Sequence, residues 1–317
     1  MLDGKTIGVV IPAYNEGKLI SKVLNTMPDF VDSMIVVNDG SKDDTRTRIA
    51  ENMRHDARIV LIDHNPNKGL GQSLIDGYCK ARELKIDVTA IMAGDAQMDP
   101  DDLHGVVSPV VSGECDYVKG NRLLTDDVRE KMPTYRFIGN NILTLLTKFA
   151  TGYWHSIDPQ CGYTAISLHA LQNIPIETMT KGYGYNAHIL YMLNMANFRV
   201  LDKTVKPVYG EEVSKIKLWK YIPRTSRLLV SLFFSRICKK YLLLDFNPLA
   251  LFYLMSLICL PAALVFLIRM LIVFAADHIM PSTTLILFVF TSLMGTQLLF
   301  FGMWMDMEDN KRLKRYE

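Results

Sequence analysis

Asp95 and Gln97 stand two residues apart just after the apolar run Val88 to Ala93, with a further acid at Asp99. A carboxylate and an amide oxygen at that spacing are hard ligands, of the kind Mg²⁺ or Mn²⁺ takes while carrying a diphosphate. Two protein oxygens are few for such an ion. By itself the stretch reads equally well as a solvated acidic loop, with Asp99 as the N-cap of a helix that opens at Pro100. Further along, Arg122 follows Gly120-Asn121, and Arg136 and Asn140 are four residues apart on a predicted helix, hence on one face. A guanidinium fork suits phosphate.

Strands must carry these residues. Ile7 to Ile11 closes in Pro12-Ala-Tyr14-Asn15-Glu16, with a helical pattern from Lys18; Met34 to Val37 closes in Asn38-Asp39-Gly40-Ser41, with a helix over Lys42 to Met53. Arg58 to Ile62 closes in Asp63-His64-Asn65-Pro66-Asn67-Lys68-Gly69, before a helix over Gln72 to Leu84, and Val88 begins a fourth strand. Alternating strands and helices predict a parallel sheet with right-handed crossovers, which brings every polar cluster to one edge. There an acid such as Asp39 can bond a nucleobase or ribose, and glycines around Lys68 let backbone approach a phosphate. Singly, Asp39-Gly40-Ser41 and Asn67-Lys68-Gly69 are more often turns than ligands; their coincidence carries the weight.

Composition divides the 317 residues unevenly. Before residue 240 charge and apolar residues are mixed, whereas Leu249 to Ile268 and Ile279 to Met305 hold twenty and twenty-seven residues without a charge. Both are long enough to cross a bilayer; the competing reading is two buried helices of a soluble core. From Val213 to Leu244 there is no acid but eight Lys and Arg, interleaved with Leu218, Trp219, Ile222, Leu228 and Leu229. That is the pattern of interfacial helices on an anionic membrane, broken in two by Pro223. Basic flanks there and at Lys311 to Arg315 predict both termini and residues 1–245 to be cytoplasmic. Met1-Leu-Asp-Gly-Lys5 lacks a signal peptide's pattern. The five cysteines form no CxxC pair and are expected to be reduced, and His155, His169 and His188 lack a metal-ligand spacing. Nothing points to nucleic acid as a partner.

Taken together, Val10-Ile-Pro-Ala-Tyr-Asn-Glu16, Val36-Val-Asn-Asp-Gly-Ser41, Asn67-Lys-Gly69 and Asp95-Ala-Gln-Met-Asp-Pro100 resemble the inverting family 2 glycosyltransferases of GT-A fold. The resemblance covers roughly Thr6 to Lys215 and is strongest to polyisoprenyl-phosphate enzymes such as dolichol-phosphate mannose synthase. It implies that residues matching Pro12, Tyr14, Glu16, Asp39, Lys68, Gly69 and Asp95 hold a nucleotide-diphosphate sugar. It further implies that Asp95 and Gln97 hold Mg²⁺ or Mn²⁺, and that Arg122, Arg136 and Asn140 hold the phosphate of a polyprenyl acceptor. Asp95, Arg122 and Arg136 are then the catalytic residues, expected around one cavity facing the lipid headgroups. The implied layout is an α/β GT-A domain over 1–212, basic juxtamembrane helices over 213–246, two transmembrane helices over 247–306 and a basic tail over 307–317.

The match departs from the family in places. The usual Asp-x-Asp-x-Gln reads Ala93-Gly-Asp95-Ala-Gln97, so the first carboxylate is missing and metal dependence is open. Thr164 follows Asp158-Pro-Gln-Cys-Gly-Tyr163 where an arginine is common, and Asn186 stands where an acid is usual, which blurs the sugar. A processive synthase of the same superfamily, a catalytically inactive membrane-anchored nucleotide-sugar binder, and a homo-oligomer all stay open. Against the first, none of Trp154, Trp219 and Trp304 follows an arginine.

Overall fold

The computed structural model describes residues 1–122, 134–182, 184–206 and 218–315, with the backbone alone at 134–138, 140 and 218–221. Arg136 and Asn140 therefore have side chains outside the described residues, as do Leu218 and Trp219, and the stretch from Tyr209 to Lys217 lies outside them altogether.

In chain order the elements are Ile7–Ala13 (β1), Ile20–Asn25 (α1), Ser33–Asn38 (β2), Thr45–Met53 (α2), Ile59–Asp63 (β3), Leu70–Glu83 (α3) and Val88–Ile91 (β4). A 3₁₀ turn, Pro100–Asp102, leads to Leu103–Val111 (α4), Tyr117–Asn121 (β5), Thr134–Thr151 (α5), Thr164–Ser167 (β6), Leu168–Asn173 (α6), Tyr185–Met195 (α7) and Val200–Thr204 (β7). Leu218–Cys238 (α8), Pro248–Asp277 (α9), Ser282–Asp309 (α10) and Lys314–Arg315 (β8) complete them. As its place before Pro100 predicts, Asp99 caps the turn, its Oδ1 accepting the Asp101 N–H at 3.0 Å.

The strands form one sheet in the order β3-β2-β1-β4-β6-β5-β7-β8, parallel except for β6, which opposes β4 and β5. Their apolar runs are continuous because both faces are covered. Val10, Ile35 and Val37 pack with α3, α6 and α7, while Val9, Ile11, Met34 and Val36 pack with α1, α2 and α4. Each such side chain contributes about 2 kcal/mol on burial, and a one-residue slip would exchange the two faces, so the register is firmly set. The carboxyl ends of β1 to β5 thus share an edge, apart from the reversed β6. The basic tail rejoins this sheet, Lys314 beside Val200 and Arg315 beside Leu201.

The described chain forms two compact units, residues 1–233 with 312–317, and residues 234–311. The break expected at Pro223 is not seen: α8 is continuous. The proline lies in its second turn, where it removes one hydrogen bond, and the helix is held further along by buried Leu229 and Leu232.

In the second unit α9 and α10 pack as an antiparallel pair. Gly295 lies against Cys259 and Leu260, and the Ser256 hydroxyl donates to the Gly295 carbonyl at 2.9 Å. Ile258, Val265, Ile272, Ile286 and Leu293 are 62–68 % exposed, which is incompatible with a buried soluble core and fits a lipid-facing hairpin. One ion pair is fully enclosed: Arg236 Nη1 and Nη2 each meet an Asp306 carboxylate oxygen at 2.7 Å, with both side chains 0 % exposed. Asn310 Nδ2 donates to Asp306 Oδ1 at 2.8 Å.

Removing one partner of such a pair strands a buried charge, at a cost of about 3–5 kcal/mol. Asp306→Ala is accordingly expected to lower the melting temperature of the detergent-solubilised protein, and the double variant R236M/D306L to lose less than either single change. A double variant as unstable as the sum of its parts would contradict this.

Candidate active site

At the ends of β1, β2 and β3 lies a cleft of about 780 Å³, walled by Tyr14, Asn38, Ser41, Lys42, Arg46 and the 63–67 loop. The loops cross-link there: the Asn15 N–H donates to Ser41 Oγ at 3.0 Å, and Asn15 Oδ1 accepts the Lys42 N–H at 2.8 Å. Pro12 is buried at the close of β1, and the Glu16 carbonyl accepts the Leu19 and Ile20 N–H groups that open α1. Tyr14, 45 % exposed, offers a ring face to the cleft. Asn38 Nδ2 donates to Asp63 Oδ1 and Arg46 Nε to Asp63 Oδ2, both at 2.6 Å. An aromatic face, amide and carboxylate edges and two cations are what a nucleotide requires. Asn38 and Asp63 stand in the polar endings of β2 and β3, whereas Arg46, inside α2, carries no such signal in the sequence.

Asp39, expected to meet the nucleotide directly, has its oxygens engaged within the protein. It is 4 % exposed; Oδ1 accepts from the Lys68 N–H and lies 2.8 Å from His64 Nδ1, while Oδ2 accepts the Gly69 N–H at 2.9 Å. Its carboxylate therefore ties the Lys68–Gly69 backbone to the end of β2. Gly69 supports this with a φ of +92°, a conformation that side chains disfavour. Gly40 has φ +67°, and a Cβ there would stand 2.7 Å from the Asn67 backbone nitrogen.

Beyond β4, Asp95 Oδ1 accepts the Gln97 N–H at 3.1 Å around Ala96, whose φ is +55°. The Gly94 N–H donates to the Pro12 carbonyl at 3.2 Å, which fixes this loop beside the first. Asp95 and Gln97 are not among the walls of the cleft. Among the described residues no group of three His, Cys, Asp or Glu could hold a metal, so a divalent ion fits at Asp95 and Gln97 only with most of its shell from phosphate and water.

At the end of β5, Arg122 is clamped by Asp158: Nε to Oδ2 at 2.8 Å and Nη2 to Oδ1 at 3.2 Å, with the carboxylate 4 % exposed and the guanidinium 43 %. Behind it Lys119 is fully buried, donating to the Cys161 carbonyl at 2.5 Å and to Asn186 Oδ1 at 3.1 Å. Burial lowers the Lys119 pKa to about 8. Burial likewise pushes Asp202 up to about 6, partly offset by the Ile157 N–H bonded to its Oδ2 at 2.8 Å. Thr164, where the family has an arginine, is buried in the sheet. Two of the three histidines bond within the fold: His155 Nε2 lies 3.0 Å from the Val200 carbonyl, and His188 Nδ1 accepts from the Thr180 N–H. All five cysteines are free thiols.

A mostly parallel sheet with a nucleotide-sized cleft at its carboxyl edge, an acidic loop after β4 and a clamped arginine after β5 defines a GT-A-type glycosyltransferase. The family model for glycosyl transferase family 2 matches residues 8–174, and the chain belongs to that family. It is similar to UDP-N-acetylglucosamine–dolichyl-phosphate N-acetylglucosaminyltransferase of Methanococcus voltae, 31 % identical over 220 residues, 65 % of this chain and 87 % of that one. A dolichyl-phosphate beta-glucosyltransferase of Trichomonas vaginalis is 22 % identical over 73 % of this chain and 74 % of its own length. Among solved structures, glucosyl-3-phosphoglycerate synthase of Mycobacterium tuberculosis superposes with a TM-score of 0.53 at 21 % identity, over 74 % of this chain and 80 % of that one, a likeness of fold.

Two outcomes are expected. Asp202 binds its proton more tightly folded than unfolded, so its contribution is greatest below about pH 4 and is lost as pH rises through about 6, roughly 3 kcal/mol in all. Asp202→Asn is expected to flatten the stability profile between those values, as read by chemical denaturation. Gly40→Ala pushes the Asn67 backbone away and is expected to weaken nucleotide binding about tenfold, measured by calorimetry.

Proposed function

We propose that this enzyme transfers a hexose from a nucleotide-diphosphate sugar to a polyprenyl phosphate at a membrane surface, with inversion at the sugar carbon. The observation that carries the reading is the clamped, half-exposed Arg122 at the same sheet edge as Asp95, in a chain that also carries a lipid-facing hairpin. The names of the Methanococcus and Trichomonas relatives, both dolichyl-phosphate transferases, support it.

The acceptor phosphate is already an anion and needs no protein base. What the protein supplies is in-line positioning and positive charge. Tyr14, Asn38 and Asp63 hold the nucleoside; Lys42 and Arg46 meet the diphosphate. Arg122, kept in one orientation by Asp158, receives the acceptor phosphate together with Arg136 and Asn140 of α5. A divalent ion at Asp95 and Gln97 would neutralise charge on the departing diphosphate.

The sheet unit and both termini are read as cytoplasmic, from the basic flanks of α9 and α10. The tail's return as β8 supports an even number of crossings, because the chain re-enters the unit it left.

Membranes containing the protein, incubated with a panel of labelled nucleotide sugars and extracted with organic solvent, are expected to carry label into the organic phase with one donor. Arg122→Ala is expected to cut that transfer about a hundredfold or more while leaving nucleotide binding intact. Binding of nucleotide with no transfer from any donor would instead favour an inactive sugar-nucleotide binder.

A further inference from the structure

Along the hairpin runs a groove of about 380 Å³, walled by Phe252 of α9 and by Met294, Leu298, Phe301 and Trp304 of α10. The amide of Gln297 stands in the same wall. Gly295 and Gly302 lie against Cys259 and Tyr253 of α9, which marks the buried face of α10. At 3.6 residues per turn Gln297 projects about 200° round the helix from Gly295, and its side chain is exposed. Among the described residues nothing hydrogen-bonds its amide. With a rise of about 1.5 Å per residue, the amide lies roughly 13 Å along the helix from Asp306, where the uncharged run has ended, well inside a hydrocarbon layer about 30 Å thick.

We propose that this face of α10 pairs with a second copy of the chain, the two Gln297 amides hydrogen-bonded to each other. The inference rests on the reading that the hairpin crosses a bilayer. In hydrocarbon an amide without a partner is costly, whereas the apolar side chains around it gain little by leaving lipid tails for one another. Whatever covers the groove must therefore bring a hydrogen-bonding group to that depth. An acyl or isoprenoid chain has none to offer. A second copy does: one charge pattern inserts every copy the same way round, so a two-fold axis along the membrane normal sets Gln297 beside Gln297 at a single depth. An amide is its own complement, the NH₂ of each donating to the carbonyl oxygen of the other. The spacing agrees. Phe290, Met294, Gln297, Phe301 and Trp304 recur four and three residues apart, as along the seam of two parallel helices, and Phe290 and Trp304 are 60 % and 63 % exposed. One polar side chain in such a seam specifies its register and the number of strands.

The full chain, carrying one fluorophore at its N-terminus, is reconstituted into phosphatidylcholine vesicles at falling protein-to-lipid ratios, and the bleaching steps in each vesicle are counted. Two-step bleaching is expected to persist to about tenfold greater dilution for wild type than for Gln297→Leu, which keeps the bulk and loses the amide. Gln297→Asn is expected to restore part of the pairing. Thr296→Leu, on a neighbouring face, is expected to pair as wild type does, which separates loss of the amide from a mere gain in apolar surface. Gln297→Ala is expected to behave as Gln297→Leu and decides the matter should the leucine variant not fold. Wild type single at every density, or Gln297→Leu pairing as tightly as wild type, overturns the proposal and leaves the groove to lipid or to a different protein. Either result would leave the spanning hairpin standing. Release of wild type from membranes by alkaline carbonate would instead overturn the reading of α9 and α10 as a spanning pair, and the inference with it.

Discussion

A strand covered on both faces has nowhere to put polar chemistry except at its ends, and that constraint organises the catalytic unit. Once Val9, Val10, Ile35 and Val36 are committed to two opposite cores, the chain is free to present amides and acids only where each strand stops. Parallel pairing then delivers those stops to one rim. The loops are not left to find their own shape: Asn15 and Ser41 join the first to the second, and Asp39 joins the second to the third. The Gly94 amide joins the fourth to the first. Four loops are thereby tied to one another above the sheet.

Buried charge recurs wherever the molecule needs orientation more than stability. Asp158 holds the Arg122 guanidinium in one orientation through two hydrogen bonds. Lys119 and Asp202 lie side by side across β5 and β7, one with its pKa lowered by burial and the other raised, so burial disfavours the charge on both. Arg236 and Asp306 do the opposite, satisfying each other in two parallel hydrogen bonds at the point where the uncharged run of α10 ends. Such a pair holds Arg236 and Asp306 in one arrangement within the second unit, at a desolvation cost a greasy pair would avoid.

Much of the fold was legible in the sequence because its signals are local. Apolar runs closed by Asn, Asp or Gly give β1 to β4, and Asp99 before Pro100 gives a cap. Long uncharged runs give α9 and α10. What escaped depends on partners distant in the chain. Asp39 looks like any acid at a strand end until the amides of Lys68 and Gly69 are seen to occupy it. Asp63 and Arg46 acquire meaning only as a pair across β3 and α2, and the short charged β8 has no pattern that periodicity could detect. Pro223 misled for a related reason: a helix breaker read alone ignores the packing of Leu229 and Leu232 that outweighs it.

The two residues of β8 have a use out of proportion to their length. Without Lys314 and Arg315, the outer edge of β7 at Val200 and Leu201 would lack the strand that pairs with it among the described residues. The closing strand is short and carries a cation at each position, so it occupies the template and repels a similar strand that approaches it. A two-residue strand with a cation at each position is a poor template for further pairing, so the sheet ends there in charge rather than in a long apolar edge.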